Sequence, residues 1–394
     1  MRIAANAVRV SQKSGGGFET YILNILNHLA KIQGEMDVYT LYPEHFPKVP
    51  EDHLIKIGGK FKRNAAQTVL AQATAPPPPR KFGLSGDQLR MLWTQAVFPL
   101  HLLRKKYDLY FASTHLDALP FSPIRQVINV QDTIPLVFPE QEHKYMFYIR
   151  NVLPRIYRRA DKIIAVSENT KKDLVRFYDL KPENISVIYE AIDFELFKAP
   201  KNLEEARKKI SALGLPPRYL LSVSSNLPHK NLPRMIEAYG LARKKFDIPL
   251  VVIGYLTAKY QDEISRIMKR HGLTDQNVRF LGHFSMELLP AVYALCEAFI
   301  FVSLYEGFGF PPLEALACGA PVVVSNAASI PEVVGPAGIY VDPAQTESIA
   351  QGIEDILSDE GKRKDLIRKG LEQAKKFSWE KAARETLEVF KTLV

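Results

Sequence analysis

The sequence is poor in cysteine and has no hydrophobic run long enough to span a bilayer. Its two cysteines, Cys296 and Cys318, lie in segments patterned like buried helices, so neither a disulfide framework nor a cysteine-based metal cluster is expected. Spanning a membrane takes roughly 18 consecutive apolar residues, and no run reaches that length. The chain opens in a strand-like segment without a signal-peptide profile. Together these features favour a reducing cytoplasm, with any membrane contact peripheral.

Patterns for metal and nucleic-acid binding are also missing. No Asp-x-Asp motif occurs, and the His and Cys residues lack the spacing of a structural or catalytic zinc site. A nucleic-acid recognition motif or an aromatic stacking platform of known type is absent too, so we expect no nucleic-acid partner. We therefore expect no metal and no other cofactor. If the chain binds a phosphate-containing ligand, protein groups must neutralise the phosphate charge.

Positive charge is present in excess. The chain carries 52 Lys and Arg against 43 Asp and Glu, a net charge of +9. Residues 1–198 hold 27 basic and 20 acidic side chains, and the remainder holds 25 and 23. Much of the excess lies in 104–106 and in 144–162, which has the pattern of an amphipathic helix with basic edges. The charge indicates phosphate groups or an anionic membrane surface as a partner, while a solvated charged face is the plain alternative.

Short apolar runs alternate with segments of helical period, as expected for parallel sheets wrapped by helices. The predicted strands are 3–8, 37–41, 109–112, 127–130 and 163–166 in the first half, and 219–223, 250–253, 278–281, 298–302, 322–325 and 339–341 in the second. Helices are predicted near 20–31 and 87–104 in the first half. Residues 60–86, which end in a run of prolines, predict a long mobile loop.

This alternation predicts the fold class: α/β, with two Rossmann-like doubly wound domains facing a cleft. We place the domains at 1–198 and 199–378, with the linker between 197 and 215, where a charged helix interrupts the strand pattern. Ligands of open α/β sheets bind beyond the carboxyl ends of the strands, so the loops that follow the strands should line the cleft.

The most specific segment is 306–314, which has the sequence Glu-Gly-Phe-Gly-Phe-Pro-Pro-Leu-Glu and follows a predicted strand. Gly307 and Gly309 permit close backbone approach to a ligand, and the two prolines suit the first turn of a helix whose positive end could dock a pyrophosphate. We expect Glu306 at the strand end and Glu314 in the first helical turn, both able to accept hydrogen bonds from sugar diols. The plain alternative is a helix cap with a solvated acidic residue.

This segment resembles the hallmark of the retaining glycosyltransferases of the GT-B fold, family 4, in which two glutamates separated by seven residues flank a Gly-Phe-Gly. The resemblance covers nearly the whole chain. It implies an N-terminal acceptor-binding domain, a C-terminal nucleotide-sugar-binding domain, and a final segment, 379–394, that packs back on the first domain. It also implies that Glu314 holds the donor ribose hydroxyls and Glu306 the transferred sugar. The backbone amides of 307–310 (Gly307, Phe308, Gly309 and Phe310) would lie near the sugar and phosphates.

A second match to the family is the segment 224–231, after the first strand of the second domain. There Lys230 matches the lysine expected on the donor phosphates, although an exposed lysine at a helix start is the plain alternative. His229 replaces the usual arginine, and Ser224 replaces a second arginine that some members have. The resemblance therefore implies a phosphate clamp with fewer positive side chains, which depends on Lys230, backbone amides and the helix dipole.

The first domain supplies further candidates. The run of three glycines that ends in Gly16 and Gly17 occupies the place of the family's glycine loop, although a flexible connection is the commoner role of such a run. His115, Gln131 and Asp132 follow predicted strands and should face the cleft. Many family members have His-Asp where this chain has Gln131 and Asp132, and glutamine can form hydrogen bonds but cannot titrate. We expect Gln131 and Asp132 to position the donor sugar or acceptor, with His115 a further candidate or a satisfied loop histidine.

The resemblance implies a metal-independent, front-face transfer of a hexose, in which the leaving diphosphate helps to deprotonate the acceptor hydroxyl. The partners are then a nucleotide-sugar donor, with UDP-hexose slightly favoured and GDP-mannose next, and a glycan or lipid-linked acceptor of surface polysaccharide synthesis at the cytoplasmic membrane face. Three alternatives stay open: a GT-B-fold epimerase, a disaccharide phosphorylase, and a catalytically silent nucleotide-sugar-binding subunit, which Gln131 and His229 would suit.

Overall fold

The computed structural model describes residues 1–11, 16–57, 90–141, 146–225, 227–254, 256, 258–282 and 284–394. The chain forms two compact units. Unit 1 comprises Met1–Leu136, Glu142–Glu190 and Trp379–Val394, and unit 2 comprises Val137–Gln141 and Ala191–Ser378. Each contains one parallel sheet covered by helices, so the predicted class of two doubly wound α/β domains is confirmed. The loop predicted at 60–86 falls outside the described residues.

The sheet of unit 1 has seven strands in the order β3-β2-β1-β4-β5-β6-β7, and all paired neighbours are parallel. They are β1 (Ile3–Asn6), β2 (Met36–Thr40), β3 (Leu54–Lys56), β4 (Leu109–Ala112), β5 (Arg125–Val130), β6 (Lys162–Ala165) and β7 (Ile185–Val187). The five buried central strands match the predicted ones to within a few residues. The edge strands β3 and β7, each three residues long and partly exposed, were not predicted.

In the described part of the first half, the α-helices with full bounds are, in chain order, α1 (Gly17–Ile32), α2 (Phe98–Lys105), α3 (Ile134–Val137), α4 (Leu153–Arg159) and α5 (Glu168–Tyr178). Short π-helical turns, Trp93–Val97 and Tyr148–Val152, lead directly into α2 and α4. Each π-turn ends just before a proline, Pro99 or Pro154. A proline has no N–H and its ring crowds the carbonyl four residues back, so the wider turn relieves that clash and keeps the helix continuous.

The sheet of unit 2 has six parallel strands in the order β10-β9-β8-β11-β12-β13. They are β8 (Leu220–Val223), β9 (Leu250–Ile253), β10 (Val278–Phe280), β11 (Ala298–Phe301), β12 (Val322–Ser325) and β13 (Gly338–Val341). The helices of this half are α6 (Leu203–Ser211), α7 (Leu232–Ala242), α8 (Ala258–Arg270), α9 (Leu289–Leu295), α10 (Phe310–Ala317), α11 (Ile330–Val334), α12 (Thr346–Ser358) and α13 (Glu360–Ala374). All six strands were predicted; β9, β11 and β12 are fully buried, whereas β10 and β13 are partly exposed.

The last helix, α14 (Trp379–Lys391), belongs to unit 1 and packs beside α1. The ring of Trp379 meets the ring of Tyr21 edge-on at 6.0 Å, and Phe390 lies 5.2 Å from Phe111 of β4. The Nε2 atom of His28 in α1 lies 3.2 Å from the Glu380 carboxylate. The helix thus covers a face of the unit 1 sheet that α1 alone leaves open.

The strand order reverses direction once in each sheet, between β1 and β4 in unit 1 and between β8 and β11 in unit 2. At such a point, the loops that follow the two neighbouring strands diverge and leave a crevice at the carboxyl end of the sheet. The loops after β1, β4, β8 and β11 are therefore where ligand-binding residues are expected in each unit.

Both cysteines are buried and unbridged. Cys296 and Cys318 are the C-cap residues of α9 and α10, whereas the sequence pattern had placed them inside helices. None of the helices that the structure describes is long and apolar enough to cross a bilayer.

Candidate functional site

An ion pair lies at the strand reversal of unit 2. Lys230 comes from the loop after β8 and Glu306 from the loop after β11, and the Lys230 Nζ atom lies 2.7 and 2.9 Å from the two carboxylate oxygens. The side chains of Lys230 and Glu306 are only 17% and 10% exposed. An ammonium group has three N–H donors. Two of them point to Glu306, which leaves one for a ligand.

Backbone bonds fix the two loops to each other. The amide of Leu304 donates to the carbonyl of His229 at 2.7 Å. The side chain of Asn231 donates to the carbonyls of Val302 and Pro343 at 3.1 and 2.7 Å, and Asn231 has the left-handed backbone conformation (φ 59°) that asparagine tolerates well. The separation of Lys230 from Glu306 is therefore set by the backbone.

His229, at the position where the resemblance implies an arginine, is buried in the same loop, and its ring centre lies 5.9 Å from that of Phe138. Burial, together with the neighbouring Lys230 ammonium, lowers the pKa of His229 to about 4. The imidazole is therefore neutral at physiological pH. This position adds no positive charge, and Lys230 is the cation of this loop.

Ser329 holds the loop of Glu306 in place. Its buried hydroxyl lies 3.0 and 2.5 Å from the carbonyl oxygens of Glu306 and Phe308, to which it donates. Phe308 is itself buried, with its ring 5.6 Å from that of Phe310 and 5.7 Å from that of Phe377. Its side chain belongs to the core, so what Phe308 offers a ligand is its backbone. Gly307, between these residues, is buried as well.

Gly309 precedes α10 and has φ 126°, a conformation that L-residues rarely adopt. A Cβ atom there would lie 2.9 Å from Cδ1 of Ile330. The next two helical residues after Phe310 are prolines, which have no N–H. The positive end of α10 therefore offers fewer backbone donors than the sequence suggested, chiefly the amides of Gly309 and Phe310.

Two positions differ from the prediction. Glu306 lies five residues beyond the end of β11, because the strand stops at Phe301. Glu314 lies in the second turn of α10, because the helix begins at Phe310. The half-buried Glu314 carboxylate accepts a hydrogen bond of 2.8 Å from the Tyr293 hydroxyl. Burial raises the pKa of Glu314 to about 7, although the bond from Tyr293 opposes the rise.

Ser224 stays apart from the ion pair. Its hydroxyl donates to the carbonyl of Ser225 at 3.1 Å, and in the described part of the chain no bond joins it to Lys230 or Glu306. Tyr293, the partner of Glu314, was missed by sequence reasoning, because no motif marks a residue 21 positions upstream on another helix.

The strand reversal of unit 1 holds a second ion pair, which the sequence did not reveal. Arg9, in the loop after β1, lies 3.1 Å from Asp117, in the loop after β4. Arg9 also donates to the carbonyl of Leu116, and Asp117 accepts a bond of 3.0 Å from the Thr114 hydroxyl. Burial raises the pKa of Asp117, and Arg9 opposes the rise. The one available signal for Arg9 was its place between the first strand and the glycine run.

His115 lies beside this pair and beside the start of α1. Its ring centre is 5.9 Å from that of Phe18, the residue after Gly17, and Gly16 precedes the helix with φ 121°. Burial, then the charge of Arg9, lowers the pKa of His115 to about 4, so the ring is neutral. Its Nδ1 atom is buried and has no partner among the described residues. The structure thus brings His115 and the glycine loop together.

Gln131 follows β5 and contacts a residue that was not predicted, Glu190, which follows β7. The Gln131 Nε2 atom donates to Glu190 Oε1 at 3.4 Å, and both side chains are buried. Burial raises the pKa of Glu190 well above its ordinary value. The neighbouring Asp132 accepts a bond of 2.9 Å from the amide of Ile134, so it caps the turn into α3. Glu190 was missed because β7 itself was missed.

Known proteins resemble this chain along both halves. Residues 15–196 match the model of Glycosyltransferase Family 4, and residues 204–373 match that of Glycosyl transferases group 1. The O-antigen chain mannosyltransferase B of Escherichia coli is 31% identical over 279 residues, 70% of this chain and 72% of that protein. A serotype-specific mannosyltransferase WbdA of Escherichia coli is 30% identical over 303 residues, 76% of this chain and 37% of that longer protein. The chain thus spans about a third of WbdA.

Solved structures share the architecture. Anabaena Alr3699/HepE, crystallised with UDP and glucose, superposes with a TM-score of 0.70 over all of both chains at 20% identity. At this identity the likeness establishes the fold alone.

Proposed function

The chain belongs to the glycosyltransferases of family 4 with the GT-B fold, and we propose that it moves a hexose from a nucleotide-diphosphate sugar to a glycan or lipid-linked acceptor, with retention and without a metal ion. The observation that carries the proposal is the ion pair of Lys230 and Glu306, which lies at the strand reversal of unit 2 and has one ammonium donor left for a ligand.

In the proposed site, each charged group has one role. Glu306 accepts hydrogen bonds from hydroxyls of the transferred sugar, and Glu314 accepts them from the donor ribose. The remaining N–H of Lys230 and the amides of Gly309 and Phe310 donate to the diphosphate, where negative charge grows as the sugar leaves. Preorganised donors of this kind lower the barrier because they are already aimed at the developing charge.

The proposed reaction is a front-face exchange. The bond from the anomeric carbon to the diphosphate oxygen breaks, the bond from the acceptor oxygen forms on the same face, and the acceptor proton passes to the leaving phosphate oxygen. We propose that no metal ion takes part in this exchange. Lys230 and the end of α10 then neutralise the leaving group.

The donor and acceptor are proposed from the relatives. The two Escherichia coli relatives are named as mannosyltransferases, one of them for the O-antigen chain. Their names favour GDP-mannose as the first donor to test and a surface polysaccharide as the acceptor. UDP-hexose, which the resemblance to the family slightly favoured, is the second donor to test, and the HepE structure is a complex with UDP and glucose.

Calorimetric titration with UDP and GDP, in the presence of a chelator, tests nucleotide binding. We expect one nucleotide to bind the wild type and to bind Glu314→Ala at least about tenfold more weakly, because a ribose hydroxyl loses its acceptor. Glu372→Ala, an exposed glutamate of α13, is the matched control and should bind as the wild type does. Failure of both nucleotides to bind would contradict the proposal.

Turnover and stereochemistry are tested with GDP-mannose, UDP-glucose and short glycan acceptors. The anomeric configuration of the product, determined by NMR, should equal that of the donor. Glu306→Gln and Lys230→Met should lower kcat by about a hundredfold or more, because each removes a charge aimed at the reacting sugar phosphate. A chain that binds nucleotide but transfers sugar to no acceptor would instead be the silent binding subunit.

A further inference from the structure

Two helical segments of unit 1, 90–105 and 146–159, lie on the same side of its sheet. Their inner residues join one core; Trp93, Phe98 and Leu102 come from the first segment, and Tyr148 and Leu153 from the second. Each segment consists of a π-turn continued by an α-helix. With the inner sides buried against one core, the outer sides of both segments face away from the sheet on the same side of unit 1.

Large apolar side chains are exposed on this surface. Leu92, Leu100 and Leu103 of the first segment are 53%, 54% and 60% exposed, and Phe147 of the second is 76% exposed. Among the described residues, six large apolar side chains are more than half exposed, and these four are among them. Ala96 is exposed between Leu92 and Leu100, at the spacing of one helical face. Scattered exposed leucines are ordinary, whereas a continuous row marks an interaction surface.

The charge of this surface has one sign. Neither 90–106 nor 146–159 contains an acidic residue, and each contains four Lys or Arg. The exposed side chains of Arg104, Lys106, Arg150 and Arg155 form no ion pair within the described part of the chain. Helix α13 of unit 2 shows the ordinary arrangement, with Lys364 paired to Glu360 at 2.7 Å and Lys369 paired to Asp365 at 2.6 Å.

We infer that this surface, the apolar-basic face (Leu92, Leu100, Leu103, Phe147, Arg104, Lys106, Arg150 and Arg155), docks on an anionic phospholipid bilayer. The apolar side chains enter the boundary between headgroups and acyl chains, and the arginines and Lys106 bind lipid phosphates. A second copy of the chain is a poor occupant, because two copies of a wholly basic face would repel each other. The inference gives the proposed lipid-linked acceptor a surface on which the enzyme meets it.

Vesicle sedimentation with the full chain tests the inference, using phosphatidylcholine alone and an equimolar mixture of phosphatidylcholine and phosphatidylglycerol. We expect the wild type to bind the anionic vesicles and to leave phosphatidylcholine vesicles largely free. Binding should weaken when salt rises from about 0.1 M to about 1 M, because the screening length falls from about 10 Å to about 3 Å.

Two paired substitutions separate the apolar from the basic contribution. Leu100→Gln with Leu103→Gln should reduce partition into anionic vesicles about tenfold, because apolar area no longer enters the bilayer. The matched control is Leu203→Gln with Leu213→Gln in unit 2, at leucines that are 47% and 44% exposed. That control should bind as the wild type does.

For the charge, Arg104→Gln with Arg150→Gln should weaken binding about tenfold or more and flatten its salt dependence. Lys364→Gln on α13 with Lys375→Gln directly after it removes the same charge from exposed positions of unit 2 and should leave binding unchanged. Circular dichroism of all four variants should match the wild type, because every substituted side chain is exposed.

The inference is overturned if the wild type ignores anionic vesicles or if the leucine variant binds as the wild type does. It is also overturned if light scattering shows a dimer that the leucine variant dissociates, since the face would then join two copies. These vesicles contain neither donor nor acceptor, so their result is independent of sugar transfer. A chain that transfers sugar to free glycans but ignores vesicles would keep the proposed function and lose the membrane face.

Discussion

Three buried or half-buried glutamates have different hydrogen-bond partners. Glu306 faces the Lys230 ammonium, whereas Glu314 accepts from the hydroxyl of Tyr293 and Glu190 from the side-chain amide of Gln131. Burial raises the pKa of Glu314 and of Glu190, and the hydrogen bond that each accepts from a neutral donor only partly opposes the rise. Two carboxyl groups of this chain therefore hold their protons at a pH where an exposed glutamate is charged.

Glu314→Gln should stabilise unit 2, and more so at high pH. The pKa of Glu314 is about 7 in the folded chain and ordinary when unfolded, so the folded state binds the proton more tightly and stability falls as pH rises through that interval. The substitution should gain little near pH 5 and on the order of 2 kcal/mol near pH 8. Differential scanning calorimetry at both pH values measures the difference, with exposed Glu372→Gln as control. An equal gain at both pH values would contradict the assigned pKa.

Glu190→Gln should leave unit 1 folded and near wild-type stability, because glutamine keeps an oxygen for the Gln131 side-chain amide and burial already raises the pKa of Glu190 and so favours its neutral form. Glu190→Ala should cost about 1–3 kcal/mol, because it leaves the buried Gln131 donor without its acceptor. Urea unfolding followed by tryptophan fluorescence measures both, since the two tryptophans, Trp93 and Trp379, belong to unit 1. A Gln variant as unstable as the Ala variant would show that Glu190 is charged.

At the scale of single residues, the sequence predicted the site residues that lie within a motif. It did not reveal the residues that contact them or lie beside them. Glu306 and Lys230 stand in recognisable segments, and the structure places them together. Arg9, Glu190 and Tyr293 contact predicted site residues or lie beside them, but each comes from a distant part of the chain. Such contacts depend on which strands become neighbours, and a single sequence does not state that order.

At the scale of elements, the loop from Glu306 to α10 depends on one glycine. Gly309→Ala should destabilise unit 2 by about 1–3 kcal/mol, because φ 126° strains an L-residue and the new Cβ lies 2.9 Å from Ile330. Calorimetric unfolding measures that loss, and the titration with nucleotide should show weaker binding, because the amides proposed to donate to the diphosphate move.

The control for Gly309 is Gly361→Ala, an exposed glycine in the first turn of α13 whose φ is not positive. Alanine favours a helix over glycine, so this variant should be neutral or slightly stabilising. Equal effects of the two substitutions would contradict the role given to the conformation of Gly309.

Elements were predictable where burial imposes a pattern. The central strands of both sheets are largely buried and mostly apolar, and their positions were predicted to within a few residues. The edge strands β3 and β7 are three residues long and partly exposed, so they carry no such run. The segment predicted as one helix over 87–104 contains a π-turn before Pro99, which periodicity cannot anticipate because it adds a residue to one turn.

At the scale of the whole molecule, the family assignment from the sequence is confirmed, and unit 1 is completed by a helix from the far end of the chain. Phe390→Ala should destabilise unit 1 by about 3–5 kcal/mol, because a fully buried aromatic ring leaves a cavity against Phe111. Tryptophan fluorescence during urea unfolding reports this loss.

Val394→Ala is the control for Phe390, because Val394 belongs to unit 1 and is 60% exposed. Its removal should change the free energy of unfolding by less than about 0.5 kcal/mol. A wild-type unfolding midpoint in the Phe390 variant would mean that α14 contributes little to unit 1.

The position of α14 also fixes an order of events at the ribosome. Chains are made from the amino terminus, and domains generally fold as their segments emerge. Most of unit 2 is one continuous stretch, Ala191–Ser378, and it is synthesised in full before Trp379 appears. The side chains of Tyr21 and Phe111 can pack against Trp379 and Phe390 only after those two residues have been synthesised. The half of the protein that is translated first is thus the half whose folding is finished last, and nascent chains would need protection on that uncovered face throughout translation.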